Sequence, residues 1–106
     1  MYSFEDIKKR SESEDELVVG YNDAKELLYL FEQSNTQVLG WEGWLKYEDG
    51  NVGLSQRYQG TADLKDMPNK SAIAIIKSTI MQAHTEWEEN PEVSNASLLF
   101  CITTNT

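Results

Sequence analysis

The chain of 106 residues carries 18 acidic residues against nine basic ones, a formal net charge of −9. That balance disfavours nucleic acid and anionic membranes, both of which recruit Lys and Arg to phosphate. It suits a basic protein partner, although solubility alone also selects acidic surfaces. A single cysteine, Cys101, excludes an internal disulfide, while three Trp, five Tyr and three Phe within a 40% hydrophobic composition argue for a folded core.

Residues 1–20 open on the short mixed segment Phe4-Glu5-Asp6-Ile7 and then turn polar. Like charges and turn formers in Ser11-Glu12-Ser13-Glu14-Asp15-Glu16 predict a partly exposed acidic loop. Leu17-Val18-Val19 follows as a short strand or a lead into the next element. Asp23 reads as a helix N-cap, with Glu26 completing a capping box. Ala24, Leu27, Leu28 and Phe31 then recur at helical spacing, up to a stop at Ser34-Asn35.

From Val38 to Tyr47 the pattern changes to period two. Leu39, Trp41, Gly43, Leu45 and Tyr47 share one face; Val38, Gly40, Glu42, Trp44 and Lys46 share the other. Glu48-Asp49-Gly50-Asn51 holds the Asp-Gly signal of a tight turn. The returning strand places Val52, Leu54 and Tyr58 on one side and Ser55, Arg57, Gln59 and Thr61 on the other. Asp63 to Asn69 is a loop. A long helix over 71–89 follows, with Ile73, Ile76, Ile80, Ala83 and Trp87 facing inward, closed by Asn90-Pro91. Leu98 to Thr103 is apolar on both faces, as in a central strand.

These elements predict an α+β fold in one domain, 1–106. Residues 1–20 form an N-terminal segment, and 21–106 form an α-ββ-α-β core. In that core a small, mostly antiparallel sheet, made of the central hairpin and the C-terminal strand, packs against two main helices. The first residues carry neither the basic nor the apolar region of a secretory signal. No apolar run approaches the roughly 18 residues that would span a bilayer, so a cytoplasmic setting is expected.

The residues offer little for catalysis. His84 is the sole histidine, and His84-Thr85-Glu86 lacks the Pro-Cys-x-x-Cys half of a zinc deaminase motif. No Gly-x-Ser-x-Gly elbow or glycine-rich phosphate loop is present. Asp63 and Asp66 are spaced like loop metal ligands, but without an oxygen-rich loop around them. No enzyme activity, cofactor, metal or small-molecule substrate is expected.

Binding features stand out more clearly. Trp44 shares its face with Glu42 and Lys46. It is core if a second layer covers that face, and an interface anchor if none does. Glu86, Glu88 and Glu89 end the long helix, where carboxylates oppose the helix dipole at a cost of about 0.3–1 kcal/mol each. With Glu48 and Asp49 in the turn, and Glu12, Glu14 and Asp15 in the N-terminal loop, they make up the candidate partner-binding set.

Four blocks also carry a resemblance. Leu39-Gly40-Trp41-Glu42-Gly43-Trp44, Gln59-Gly60-Thr61-Ala62-Asp63-Leu64, Trp87 followed by Pro91-Glu92, and Leu98-Leu99-Phe100-Cys101-Ile102-Thr103 together resemble a family of small bacterial immunity proteins. These accompany polymorphic toxins, including those of contact-dependent growth inhibition systems. The resemblance spans residues 38–104 and implies a cytoplasmic protein that binds and neutralises one cognate toxin domain. Such toxins are often nucleases with cationic grooves, which an acidic inhibitor would fit. The family supplies no catalytic residues. The alternative is an acidic secretion chaperone that binds an extended client.

Overall fold

The computed structural model describes residues 4–13, 16–58, 64 and 66–104. Among them run α1 (Phe4–Arg10), β1 (Leu17–Val19), α2 (Tyr21–Ser34), β2 (Val38–Tyr47), β3 (Val52–Leu54), α3 (Asn69–Glu89) and β4 (Ala96–Thr104). The strands form one four-stranded sheet in the order β1-β4-β2-β3, with every neighbouring pair antiparallel. This is the expected α+β architecture, and the apolar C-terminal strand is central, between β1 and β2.

The helices lie on one face of the sheet. Ala24, Leu27, Leu28 and Phe31 from α2 and Ile73, Ile76, Ile80, Ala83 and Trp87 from α3 meet Val19, Trp41, Leu45, Leu98, Phe100 and Ile102 in one core. Both helical stripes are thus buried as their spacing predicts. Trp41 also satisfies its polar edge, its indole N–H donating to Thr79 Oγ1 at 2.8 Å.

The N-terminal segment departs from expectation, because Phe4 to Arg10 is helical. Ile7 is fully buried in the core, and the Phe4 ring lies 6.1 Å from that of Phe31. Its signal was charge order: Glu5 and Asp6 in the first turn and Lys8, Lys9 and Arg10 in the last complement the helix dipole.

The capping box does not form. α2 begins at Tyr21 behind Gly20, and the Asp23 carboxylate is instead held by the Arg10 guanidinium, with Nε and Nη2 donating at 2.9 and 2.8 Å. Glu26 Oε1 is buried with no hydrogen-bond partner among the described residues. The C-terminal stop is as expected, with Asn35 in the left-handed conformation at φ 56°.

Two corrections concern the hairpin. The register of β2 against β4 shifts between Val38 and Gly40, so a bulge turns Val38 inward and leaves Leu39 half-buried. The turn is as predicted, with Gly50 at φ 93°, but the returning strand ends at Leu54. Ser55 N–H donates to the Gly43 carbonyl, and Gly43 N–H donates to the Tyr58 carbonyl at 2.7 Å. The chain loops out between those two bonds, so Ser55 and Arg57 do not continue the alternation. Gly43 is required there, since a Cβ would stand 2.7 Å from Tyr58 Cβ. Gln59 and Thr61, with Asp63, lie outside the described residues.

Candidate functional site

All three helices contribute to the core on a single face of the sheet, which leaves the other face without a helix among the described residues. Cross-strand register defines three rows on that open face: Val18–Cys101–Glu42, Leu99–Trp44–Leu54 and Ser97–Lys46–Val52. The middle row is an apolar stripe. Trp44 and Leu99 are half-buried within it, and Leu54 is 55% exposed.

The segment leading into β1 covers the first row. Glu12 N–H donates to the Val18 carbonyl, and Val18 N–H donates to the Ser11 hydroxyl. That hydroxyl in turn donates toward the carbonyls of Ser13 and Glu16. Glu12 then reaches across β4 to pair with Lys46 on β2. Beneath this strap Val18 and Cys101 are buried. Burial, with the nearby charges of Glu16 and Glu42, pushes the Cys101 thiol up to about 12. Cys101 is therefore a neutral packing residue with no thiolate to offer at neutral pH.

The structure thus brings together three of the predicted residues, Glu12, Glu42 and Trp44, on one open face. Glu16, from the acidic loop read in the sequence, joins them, as do Leu54 and Leu99, which were missed. Leu54 was recoverable, since pairing the hairpin outward from its turn sets Leu54 opposite Trp44. The indole N–H of Trp44 is buried and has no hydrogen-bond partner among the described residues. Glu14 and Asp15 lie outside those residues.

The remaining acidic candidates sit elsewhere. Glu48 and Asp49 occupy the hairpin corner, where Asp49 accepts hydrogen bonds from the backbone and side-chain amides of Asn51. Glu86, Glu88 and Glu89 end α3 on the helical side, with no basic residue in that last turn. Glu86 accepts a hydrogen bond from the Tyr58 hydroxyl, and Glu88 lies 3.8 Å from His84 Nε2.

Glu92, just beyond, is a structural clamp. It accepts hydrogen bonds from the Ser55 hydroxyl and the N–H groups of Gln56 and Arg57, closing the loop after β3. Burial would raise its pKa. The bonds from Ser55, Gln56 and Arg57, together with the Arg57 charge, outweigh that and hold the carboxyl below its ordinary value.

His84, within α3, stacks on Tyr21 at the start of α2 with ring centroids 3.8 Å apart and planes 3° from parallel, a packing role between the two helices. Among the described residues no cluster of three or more His, Cys, Asp or Glu could hold a metal ion, and no helix is long and apolar enough to cross a membrane. A groove of about 860 Å³ runs between α1, the end of α2 and the Thr103–Thr104 end of β4. Its walls include Phe4, Leu17, Leu30, Phe31 and Ile102.

Comparison of the chain with family models, curated proteins and solved structures found no match.

Proposed function

We propose that this chain is an immunity protein that binds a cognate bacterial toxin domain in the cytoplasm and neutralises it stoichiometrically, without chemistry of its own. One observation carries the reading: Trp44 stands between Leu54 and Leu99 on a sheet face that has no helix among the described residues and is bordered by Glu12, Glu16 and Glu42. Large aromatic side chains in apolar surroundings are the residues on which interfaces concentrate their binding energy. Carboxylates around such an anchor select a basic counterpart and speed encounter with it. The block resemblance supplies the class of partner, and a nuclease with a cationic groove supplies the matching charge. Glu48, Asp49, Glu86, Glu88 and Glu89 extend the negative field beyond the contact itself.

Co-expression with the toxin domain encoded in the adjacent reading frame tests the reading. Growth is restored by the wild-type protein, and a stable complex of the two chains is isolated. Unrelieved killing with no complex would refute it. A dimeric protein holding only an unfolded client would place the chain among secretion chaperones instead.

A further inference from the structure

The free edge of the sheet deepens this reading, on which it rests. The bonds Tyr47 N–H to Asn51 carbonyl and Ser55 N–H to Gly43 carbonyl bracket the β2–β3 ladder. Bonded pairs therefore fall at 47/51, 45/53 and 43/55, and the positions between them, Lys46↔Val52 and Trp44↔Leu54, are non-bonded pairs. In such pairs each residue turns its own N–H and carbonyl away from its neighbour. On β2 they turn toward β4; on β3 they turn toward the open edge, because β3 is the outermost strand. Val52 and Leu54 thus present two donors and two acceptors with no partner among the described residues.

Edges are normally guarded by lysine, proline or an internal bulge. Beyond its three-residue length, Val52-Gly53-Leu54 has none of these, and of its two side chains on the open face Leu54 is 55% exposed. On the opposite face, a Cβ at Gly53 would meet nothing within 4 Å, so no described residue packs closely over β3 there.

We infer that β3 is the docking edge, and that the toxin domain adds an extended, basic segment to it as a fifth, antiparallel or parallel strand. Charge settles the occupant. β3 is uncharged, and the turn beside it carries Glu48 and Asp49. The nearest cations are engaged internally: Lys46 with Glu12, and Arg57 with the Asn90 carbonyl at 2.7 Å. A second copy of this chain would bring another −9 to the same edge, whereas a strand carrying Arg or Lys is attracted to it. The four backbone groups set direction and register. Affinity comes from the open face, where a partner side chain opposite Leu54 extends the Leu99–Trp44–Leu54 row by one apolar member.

Amide hydrogen exchange resolved to single residues tests this, on the free protein and on its complex with the adjacent-frame toxin domain. In the free protein the amides of Val52 and Leu54 exchange rapidly, while that of Gly53, turned toward β2, is slower. In the complex the Val52 and Leu54 amides become protected. The double variant Val52→Lys, Leu54→Lys keeps the wild-type circular dichroism and binds about tenfold or more weakly. A complex in which the Val52 and Leu54 amides still exchange rapidly overturns the strand-addition proposal and leaves the immunity reading standing. Protection of both amides in the free protein, accompanied by dimerisation, assigns the edge to a second copy and also overturns it. Failure to form any complex removes the immunity reading and this inference with it.

Discussion

Glu92 lies just past the acidic end of α3, and a contact 37 residues away in sequence, at Ser55, sets its role. Its hydrogen bonds make it the group that ends β3 and turns the chain toward Tyr58. Glu92→Ala leaves the buried Ser55 hydroxyl, which still accepts from Tyr58 N–H, without an acceptor for its own proton and is expected to cost about 1–3 kcal/mol in urea unfolding. Because its pKa is lowered on folding, its stabilisation is complete above the ordinary value of 4.5 and is lost as pH falls through the lower, folded value. The stability gap between wild type and Glu92→Ala should therefore be flat above pH 4.5 and narrow below it; a gap that widens on acidification would contradict the clamp. Cys101 gives a second test at this scale. With its thiol pushed up to about 12 and buried under the strap, it should label with a thiol reagent at neutral pH only as fast as the protein opens. Rapid, complete labelling of the native protein would show that the strap is not closed.

At the scale of elements, α2, α3, β2 and β4 were legible because each carries a long periodic pattern whose inward face is decided by burial alone. The missed or altered elements are short, and their form is set by partners distant in sequence. α1 has one fully buried residue, Ile7, and its dipole-matched charges were the only local sign of helix. The start of α2 moved because Arg10 takes the carboxylate that local chemistry assigns to the cap. β3 was read too long because the alternation continues past Leu54 while Gly43 and Glu92 redirect the backbone. The candidate site was half legible for the same reason. Alternation set Glu42 and Trp44 on one face, but whether a layer covered it depended on how α1, α2 and α3 divide between the two faces. The acidic end of α3 can be tested by itself. Glu89→Lys removes a charge that opposes the helix dipole and should raise stability by roughly 0.3–1 kcal/mol in urea unfolding. On the proposed function, in which that end contributes field rather than contact, it should also slow association with the toxin domain while leaving dissociation unchanged. A faster dissociation rate would move the interface to the helical side.

For the whole molecule, the asymmetry of the sheet matters most. One face is closed by helices, and the other keeps an apolar row centred on Trp44 and flanked by carboxylates, on a protein whose net charge is −9. Such a charge acts over distances that salt shortens to about 10 Å at 0.1 M. The association rate with the toxin domain, measured by stopped flow, should therefore fall steeply as salt rises, while dissociation changes little. A salt-independent association rate would leave apolar contact as the sole basis of encounter. Trp44 is where the charged field and the apolar row meet. The dissociation constant of the purified complex, compared between wild type and Trp44→Ala at fixed salt, tests the open face most directly. The expected result is a loss of about 30-fold or more, the mark of an interface hot spot, with the fold retained by circular dichroism. An unchanged dissociation constant would contradict the assignment of this face as the toxin-binding surface.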